Sequence, residues 1–83
     1  MTTRKQPLAT LLTLDQEGRR LWLRGWMERL GLENANQAAP ILLLSRQTVE
    51  RMLYETSAAR RPVSDQTMKI AYLVEKIGLQ RST

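Results

Sequence analysis

Apolar residues recur with helical periodicity in the first half of the chain. They form a stripe that consists of Trp22, Leu23, Trp26, Met27 and Leu30. Leu23, Met27 and Leu30 recur at i, i+4 and i+7, which predicts a helix with one buried face. The two tryptophans widen this face, and tryptophans usually anchor a core or an interface. A capping box of Thr13 and Gln16 predicts the start of this helix. Gly31 predicts its end, since glycine accepts the left-handed conformation common at helix C-termini. The charged residues of the segment are expected mostly outside the stripe: Arg19, Arg20, Arg24, Glu28 and Arg29.

Two short helices are predicted in the middle of the chain. Either Asn34 or Asn36 can cap the first of them, since both side chains can accept a backbone hydrogen bond. Pro40 bears on this choice, because it falls in the first turn after Asn36 but removes one backbone hydrogen bond if Asn34 is the cap. Ser45 is a strong cap for the second helix, expected from Arg46 to about Tyr54. The buried side of that helix is predicted to consist of Val49, Met52 and Leu53.

A last helix is predicted from Asp65 to about Ile77, with Ser64 as its cap and Gly78 as its end. Residues 56–62, which precede it, have the composition of a loop. Apolar residues cover one face of the helix and extend beyond it: Met68, Ile70, Ala71, Leu73, Val74 and Ile77.

No strand pattern and no internal repeat occurs, so the sequence predicts an all-α fold, a compact domain of four to five helices. Residues 13–78 are expected to form this domain. Residues 1–12 precede it as an arm or a short helix, and residues 79–83 follow it as a tail. The leucines of the first segment suit a short helix that packs on the body or on a partner: Leu8, Leu11, Leu12 and Leu14.

The composition excludes most catalytic chemistry. The 83 residues include neither cysteine nor histidine, which excludes disulfides, zinc sites and thiol or imidazole catalysis. The 8 acidic residues are scattered singly, without a pair suited to acid–base work. We therefore expect no enzyme, no cofactor and no metal. No apolar run approaches the roughly 20 residues that cross a bilayer, so we expect a cytoplasmic protein without a membrane span.

The charge balance points to an acidic partner. The chain has 13 Lys and Arg against 8 Asp and Glu, a net charge of +5, and ten of the basic residues are arginine. Arginine presents a planar fork that suits phosphate groups and guanine edges. This balance is compatible with binding to nucleic acid.

The two short central helices fit a helix-turn-helix. Such a unit needs a small residue where the helices cross and an apolar residue that fixes their angle, which Ala39 and Val49 supply, with Leu53 completing the motif core. The second helix must also present long hydrogen-bonding side chains from its first turn. Arg46, Gln47 and Arg51 meet that requirement.

At these residues the chain resembles the lambda-repressor and Cro-like (Xre-type) helix-turn-helix family of phage and plasmid repressors. The stretch from Gln37 to Arg51 matches the family pattern in register, and the basic Arg60, Arg61 and Pro62 precede Ser64 as in the family's loop before its fourth helix. The resemblance covers roughly residues 15–78. In size and basicity, the chain is similar to the small Kor-type regulators of conjugative plasmids.

The resemblance implies a homodimeric, sequence-specific transcriptional repressor that binds a palindromic double-stranded DNA operator. It places the helix over residues 46–54 in the major groove. Positions that commonly reach base edges match Ser45, Arg46, Gln47 and Arg51. Positions near the DNA backbone match Asn34, Asn36, Thr48, Arg60 and Arg61. Two departures, Leu43 at the usual turn glycine and Pro40 within the first motif helix, predict a wider turn.

Two other classes of function fit parts of the sequence. An antitoxin-type interaction module would use the N-terminal leucines to bind a toxin. An excisionase-like architectural factor would instead bend DNA and bind it in arrays. For the homodimer, surplus apolar surface occurs both in the N-terminal leucines and in the last helix, and the last helix is favoured: Ile70, Leu73, Ile77 and Leu79.

Overall fold

The computed structural model of the chain describes residues 7–81, which fold into five α-helices. The helices are α1 (Leu8–Leu12), α2 (Gln16–Leu30), α3 (Ala35–Leu42), α4 (Arg46–Leu53) and α5 (Asp65–Arg81). Over residues 7–81 there is no strand, which confirms the predicted all-α class. Helices α3 and α4 pack against each other, and α5 packs across α1, α2 and α3. The predicted N-terminal arm over residues 1–6 and the end of the tail at 82–83 lie outside the described residues, as does the Leu79 side chain.

The core is built around Trp26, whose side chain is fully buried. Its indole Nε1 donates a hydrogen bond to the Ala71 carbonyl at 2.8 Å, which joins α2 to α5. A buried indole needs such a partner, because its N–H would otherwise lose hydrogen bonds to water. The other large side chains with almost no exposure are Leu11, Leu23, Leu42, Met52, Met68, Val49 and Val63. The expectation that tryptophan anchors the core is therefore confirmed for Trp26.

The start of α2 differs from the prediction. Asp15, not Thr13, is the N-cap, and its carboxylate accepts a hydrogen bond from the Gly18 N–H at 2.8 Å. Thr13 instead closes α1, where its hydroxyl donates to the Thr10 carbonyl at 2.6 Å. An N-cap needs extended backbone, which Asp15 has and Thr13 does not, because Thr13 still continues the turn of α1. At the other end, the prediction for Gly31 is confirmed, with φ of 73°.

Two arginines of α2 are buried, although the sequence predicts them outside the apolar stripe. Arg19 and Arg20 are each only 8% exposed. The Arg19 guanidinium donates hydrogen bonds to the Leu12 carbonyl in α1 and to the Val63 carbonyl in the segment before α5. Arg20 contacts Glu17 at 3.4 Å, and its Nε has no hydrogen-bond partner within the described part of the chain. For Arg19 the prediction fails because carbonyl groups left without backbone partners bind its guanidinium in the interior. No such contact explains the burial of Arg20.

Helix α3 begins after Asn34, which settles the choice between the two possible caps. The Asn34 side chain accepts a hydrogen bond from the Gln37 N–H at 3.2 Å, and Asn36 lies exposed in the first turn. Pro40 is therefore inside the helix, where it has no N–H for the carbonyl four residues earlier. The proline ring is exposed, so it does not disturb the packed side of α3. The alanines on that side remain buried.

The turn between α3 and α4 is tight, and the predicted widening does not occur. Only Leu43, Leu44 and Ser45 separate the helices, a length that is usual for helix-turn-helix units. Leu43 takes the left-handed conformation that glycine would otherwise supply, with φ of 61°. The Leu44 N–H then bonds the Ala39 carbonyl at 2.9 Å and closes the helix end. The turn therefore keeps its usual length, and Leu43 has a strained backbone conformation.

We predict that Leu43→Gly stabilises the protein by about 1 kcal/mol. A left-handed leucine costs roughly 1–2 kcal/mol, and the greater freedom of glycine in the unfolded chain offsets part of the gain. Leu43 is 77% exposed, so little burial is lost. Urea unfolding of the parent and the variant measures the difference. Leu43→Ala is the control, because alanine keeps the strain; an equal gain in Leu43→Ala would contradict this explanation.

Helix α5 starts as predicted and ends later than predicted. The Ser64 hydroxyl accepts a hydrogen bond from the Thr67 N–H at 3.1 Å, which confirms the cap. The helix then runs through Gly78 to Arg81, so the predicted end at Gly78 is wrong. Glycine permits a left-handed end but does not impose one, and inside a helix it costs only about 1 kcal/mol. Met68 and Ala71 are buried, whereas Leu73 and Ile77 remain about half exposed.

Candidate nucleic-acid interface

The candidate interface is built on the packing of α3 against α4. Ala39 is 5% exposed at the crossing, and Val49 is fully buried on the facing side of α4. Met52 and Leu53 complete the buried side, which confirms the predicted inner face of this helix. The small alanine side chain permits close approach, and the β-branched valine fills the space with little freedom to move. The orientation of α4 is therefore fixed by the packing of its buried side against α3.

The opposite side of α4 is polar and open. Arg46, Gln47 and Glu50 are exposed, and Arg51 is partly buried. Neither Arg46 nor Gln47 uses its side chain in a hydrogen bond or ion pair with any of the described residues. An arginine and a glutamine are thus presented side by side at the first turn of a helix whose inner face is locked.

The hydroxyl of Ser45 is committed to capping α4. It accepts a hydrogen bond from the Thr48 N–H at 3.1 Å and donates one to the Thr48 hydroxyl at 2.8 Å. Ser45 is one of the residues expected at base edges, but its hydroxyl proton is already used in this bond to Thr48. Thr48 retains its own hydroxyl proton for an outside acceptor.

The start of α3 presents a second polar group. Asn34 caps the helix, and the Gln37 side chain accepts a hydrogen bond from the Glu33 N–H at 2.6 Å. Asn36 is exposed beside them. The first N–H groups of a helix lack internal partners and carry partial positive charge, so this end suits an anion. Glu33 is an exposed carboxylate at the same end and opposes an anion there.

The loop between α4 and α5 brings a basic group next to α4. The Arg61 N–H donates to the Arg51 carbonyl at 3.1 Å, so the loop folds back onto the end of α4. A shallow cleft of about 200 Å³ lies between α4, this loop and α5, and Arg61 and Thr48 both line it. The structure thus brings together two residues for which the resemblance implies contact with the DNA backbone. Arg60 is exposed in the same loop, where its Nε donates to the Glu55 carbonyl at 3.0 Å.

Glu55 at the start of this loop is held in its charged form. The Ser57 hydroxyl and the Ser57 N–H both donate to its carboxylate. These hydrogen bonds, the one from the hydroxyl most of all, lower the pKa of Glu55 below its ordinary value. The charge of Arg51 lowers the pKa of Glu55 further. Glu55 therefore remains an anion beside Arg51 and offsets part of the positive charge there.

Sequence reasoning missed several residues at this end of the molecule. Gln16 and Arg19 are bonded to the segment before α5, and Arg24 lies over the Tyr54 ring, with its guanidinium carbon 5.3 Å from the ring centre. A signal for the first two existed. Gln16, Arg19, Leu23 and Trp26 follow one another at intervals of 3, 4 and 3 residues, so all four lie on one side of α2. The predicted capping box assigned the Gln16 side chain to the Thr13 N–H instead.

No family model, curated protein or solved structure is significantly similar to this chain. Within residues 7–81, no helix is both long and apolar enough to cross a bilayer. The same residues hold no cluster of acidic side chains suited to a metal ion.

Proposed function

We propose that the protein is a sequence-specific, double-stranded DNA-binding transcriptional repressor of the lambda-repressor and Cro-like type, in which α4 enters the major groove. The observation that carries the proposal is the pairing of a locked inner face with an open polar outer face on α4. Val49 holds the helix from behind, while Arg46 and Gln47 stand free at its first turn. A major groove about 12 Å wide admits one α-helix in this way.

The roles of the α4 side chains follow from their donor groups. Arg46 is suited to a bidentate contact with guanine, and Gln47 to a bidentate contact with adenine. Arg51 lies one turn beyond Gln47 and would reach a further base or a phosphate. Ser45 would contribute chiefly through the helix start it caps, because its hydroxyl already serves Thr48.

Contacts to the DNA backbone would position α4 in the groove. The N-terminus of α3, with Asn34 and Asn36, offers amide groups and unpaired backbone N–H groups to a phosphate. On the other side, Thr48 and Arg61 share a cleft and would take a second phosphate, with Arg60 close by in the loop. Bound to its operator in the cytoplasm, such a protein would repress by excluding polymerase where operator and promoter overlap.

The proposal is tested by selecting duplexes from a random pool and by footprinting the DNA upstream of the protein's own coding region. We expect one preferred sequence with two-fold symmetry, protected on both half-sites. Retention of all duplexes alike, or of none, would contradict the proposal. A bend in the bound duplex together with binding in arrays would favour the architectural alternative.

We predict a steep salt dependence of operator binding. If each subunit neutralises about three to four phosphates, the dimer has a log–log slope of roughly −5 to −7. Arg60→Ala and Arg61→Ala should each flatten it by about one per subunit without altering base preference. Titrations at several salt concentrations measure the slope. Lys76→Ala removes the same charge from the exposed side of α5 and should leave the slope unchanged. A slope near zero in the parent would exclude phosphate contact.

We propose that the protein is a homodimer that joins through α5. Leu73 and Ile77 are about half exposed on this helix, with Ile70 partly buried beside them. Their i, i+3 and i+7 spacing makes a continuous stripe that a second copy can match across a two-fold axis. Two copies would then present two α4 helices to a symmetric operator.

The dimer is tested by sedimentation at tens of micromolar. The parent should have the mass of two chains, and Leu73→Glu combined with Ile77→Glu should halve it, since two like charges would meet across the axis. Leu21→Glu is the control, because Leu21 is 59% exposed on α2 and is not part of the α5 stripe. A concentration-independent monomer mass in the parent would refute the dimer.

The antitoxin-type alternative has less support than DNA binding. Leu11 is 1% exposed, and Leu12 and Leu14 are partly buried in the chain's own core. Leu11 and Leu12 belong to α1, which packs against α5 within the same chain, and Leu14 packs on the same core. A small protein that co-purifies tightly and binds this segment would revive that alternative.

A further inference from the structure

The segment that precedes α5 is held by a side chain of α2. The Gln16 amide Nε2 donates to the Val63 carbonyl at 3.1 Å, and its Oε1 accepts from the Val63 N–H at 2.6 Å. Both backbone polar groups of one residue are thus paired with one amide, 47 positions away in sequence. Val63 is itself buried, so its position is fixed by packing as well as by hydrogen bonds.

Arg19 holds the same segment from the next turn of α2. Its Nη1 donates to the Val63 carbonyl at 2.8 Å, and its Nη2 lies 2.7 Å from the Asp65 carboxylate at the start of α5. The same Nη2 also donates to the Leu12 carbonyl at 2.8 Å, and Nε donates to the Leu14 carbonyl at 3.2 Å. One buried guanidinium therefore joins the α1–α2 connection to the loop that leads into α5.

Arg61 lies between this anchor and a second one. It is two residues before Val63, and its own N–H is bonded to the Arg51 carbonyl at the end of α4. The backbone around Arg61 is thus held on both sides, while its side chain is exposed on the cleft that Thr48 also lines. The guanidinium is presented to solvent from a fixed backbone.

We infer that Gln16 and Arg19 are positioning residues for the DNA-backbone contact of Arg61. This inference rests on the proposed function, because it assigns a partner to the Arg61 side chain. A loop that is ordered before binding does not lose backbone freedom on contact with a phosphate, so more of the contact energy appears as affinity. The two side chains lie on the packed side of α2, where apolar side chains would pack without desolvation of polar groups. Only polar groups can hold the Val63 backbone.

The test is a double-mutant cycle between Gln16→Met and Arg61→Ala. Methionine keeps the length of glutamine but removes both bonds to Val63. We expect Gln16→Met to weaken binding by about 3- to 10-fold, equally for operator and for random duplex, because a phosphate contact carries no sequence information. In the Arg61→Ala background the same change should have almost no effect. All titrations are made well below the melting temperatures, so that every variant is folded.

Asp15→Ala is the stability-matched control. It removes the cap of the same helix without touching Val63, and it should lower the melting temperature while leaving DNA affinity unchanged. Parent-like affinity of Gln16→Met would overturn the inference. An undiminished loss in the Arg61→Ala background would also overturn it, because the effect would then not act through Arg61.

Hydrogen exchange separates failure of the anchor from failure of the proposed function. In the free protein, the Val63 N–H should exchange at least about 10-fold faster in Gln16→Met than in the parent, because its acceptor is gone. Unchanged protection would overturn the anchoring role whether or not DNA binds. If the exchange of Val63 differs between parent and variant as expected but the parent binds no duplex, the proposed function is overturned, and with it the role of Arg61.

Discussion

Val49→Asp should abolish the folded state at neutral pH. Val49 is fully buried on the side of α4 that packs against α3. Burying an unpaired ionised group costs several kcal/mol, and a chain of this size has only roughly 4–12 kcal/mol of stability. Circular dichroism should therefore show little helix at 25 °C and no cooperative melting transition.

Two control variants separate charge from truncation at this position. Val49→Ala removes two methyl groups and should cost about 1–2.5 kcal/mol while the protein still folds. Gln47→Asp adds the same charge two residues earlier on the exposed side, and it should melt within a few degrees of the parent. A melting temperature of Val49→Asp close to that of the parent would show that the inner face of α4 has been misassigned.

Arg46→Ala should have the largest effect on operator binding among variants that remain folded. A lost bidentate contact to guanine costs about 1–3 kcal/mol per half-site and relaxes the preference at one base pair. Arg46 is exposed and bonds no described residue, so its removal leaves the core intact. Arg51→Ala should also weaken binding, with its base or phosphate role decided by whether the base preference changes. Fluorescence titrations on the parent operator and on single-base variants measure both effects.

Arg46→Lys is the control that identifies the kind of contact. Lysine keeps the charge but lacks the planar fork, so it should recover a phosphate contact and fail to recover a bidentate base contact. Melting curves establish that each variant is folded before it is titrated. If Arg46→Ala and Arg51→Ala both bind operator like the parent, α4 is not the recognition helix.

Helix α4 was predictable almost completely, because its signals are local. Ser45 caps it, and Val49, Met52 and Leu53 mark its inner side within a single stretch of sequence. The predicted end near Tyr54 lies one residue past the observed end at Leu53. The exposure of Arg46 and Gln47 follows from the same pattern, since residues opposite a buried stripe face solvent.

The predictions that failed depend on the tertiary surroundings of a residue and not on its neighbours in sequence. Thr13 is a residue type that often caps a helix, but its backbone already continues the last turn of α1. Gly78 can end a helix, but nothing in the packing makes the chain turn there. Leu43 lies where glycine is usual, and the close packing of α3 on α4 holds it in a left-handed conformation despite the strain.

By itself, then, the sequence determined the helical class, the cap and inner face of α4, and the basic and hydrogen-bonding residues available for an acidic partner. These features depend on spacing, capping and composition over about one or two helical turns. Only the tertiary structure decided that Gln16 and Arg19 bond to Val63, and that Thr48 and Arg61 share one cleft. The bonds of Gln16 and Arg19 to Val63 join residues 47 and 44 positions apart in sequence, and they form because buried carbonyl and N–H groups must find partners wherever the packed helices place them. Arg61 comes to the cleft because its N–H is bonded to the Arg51 carbonyl of α4.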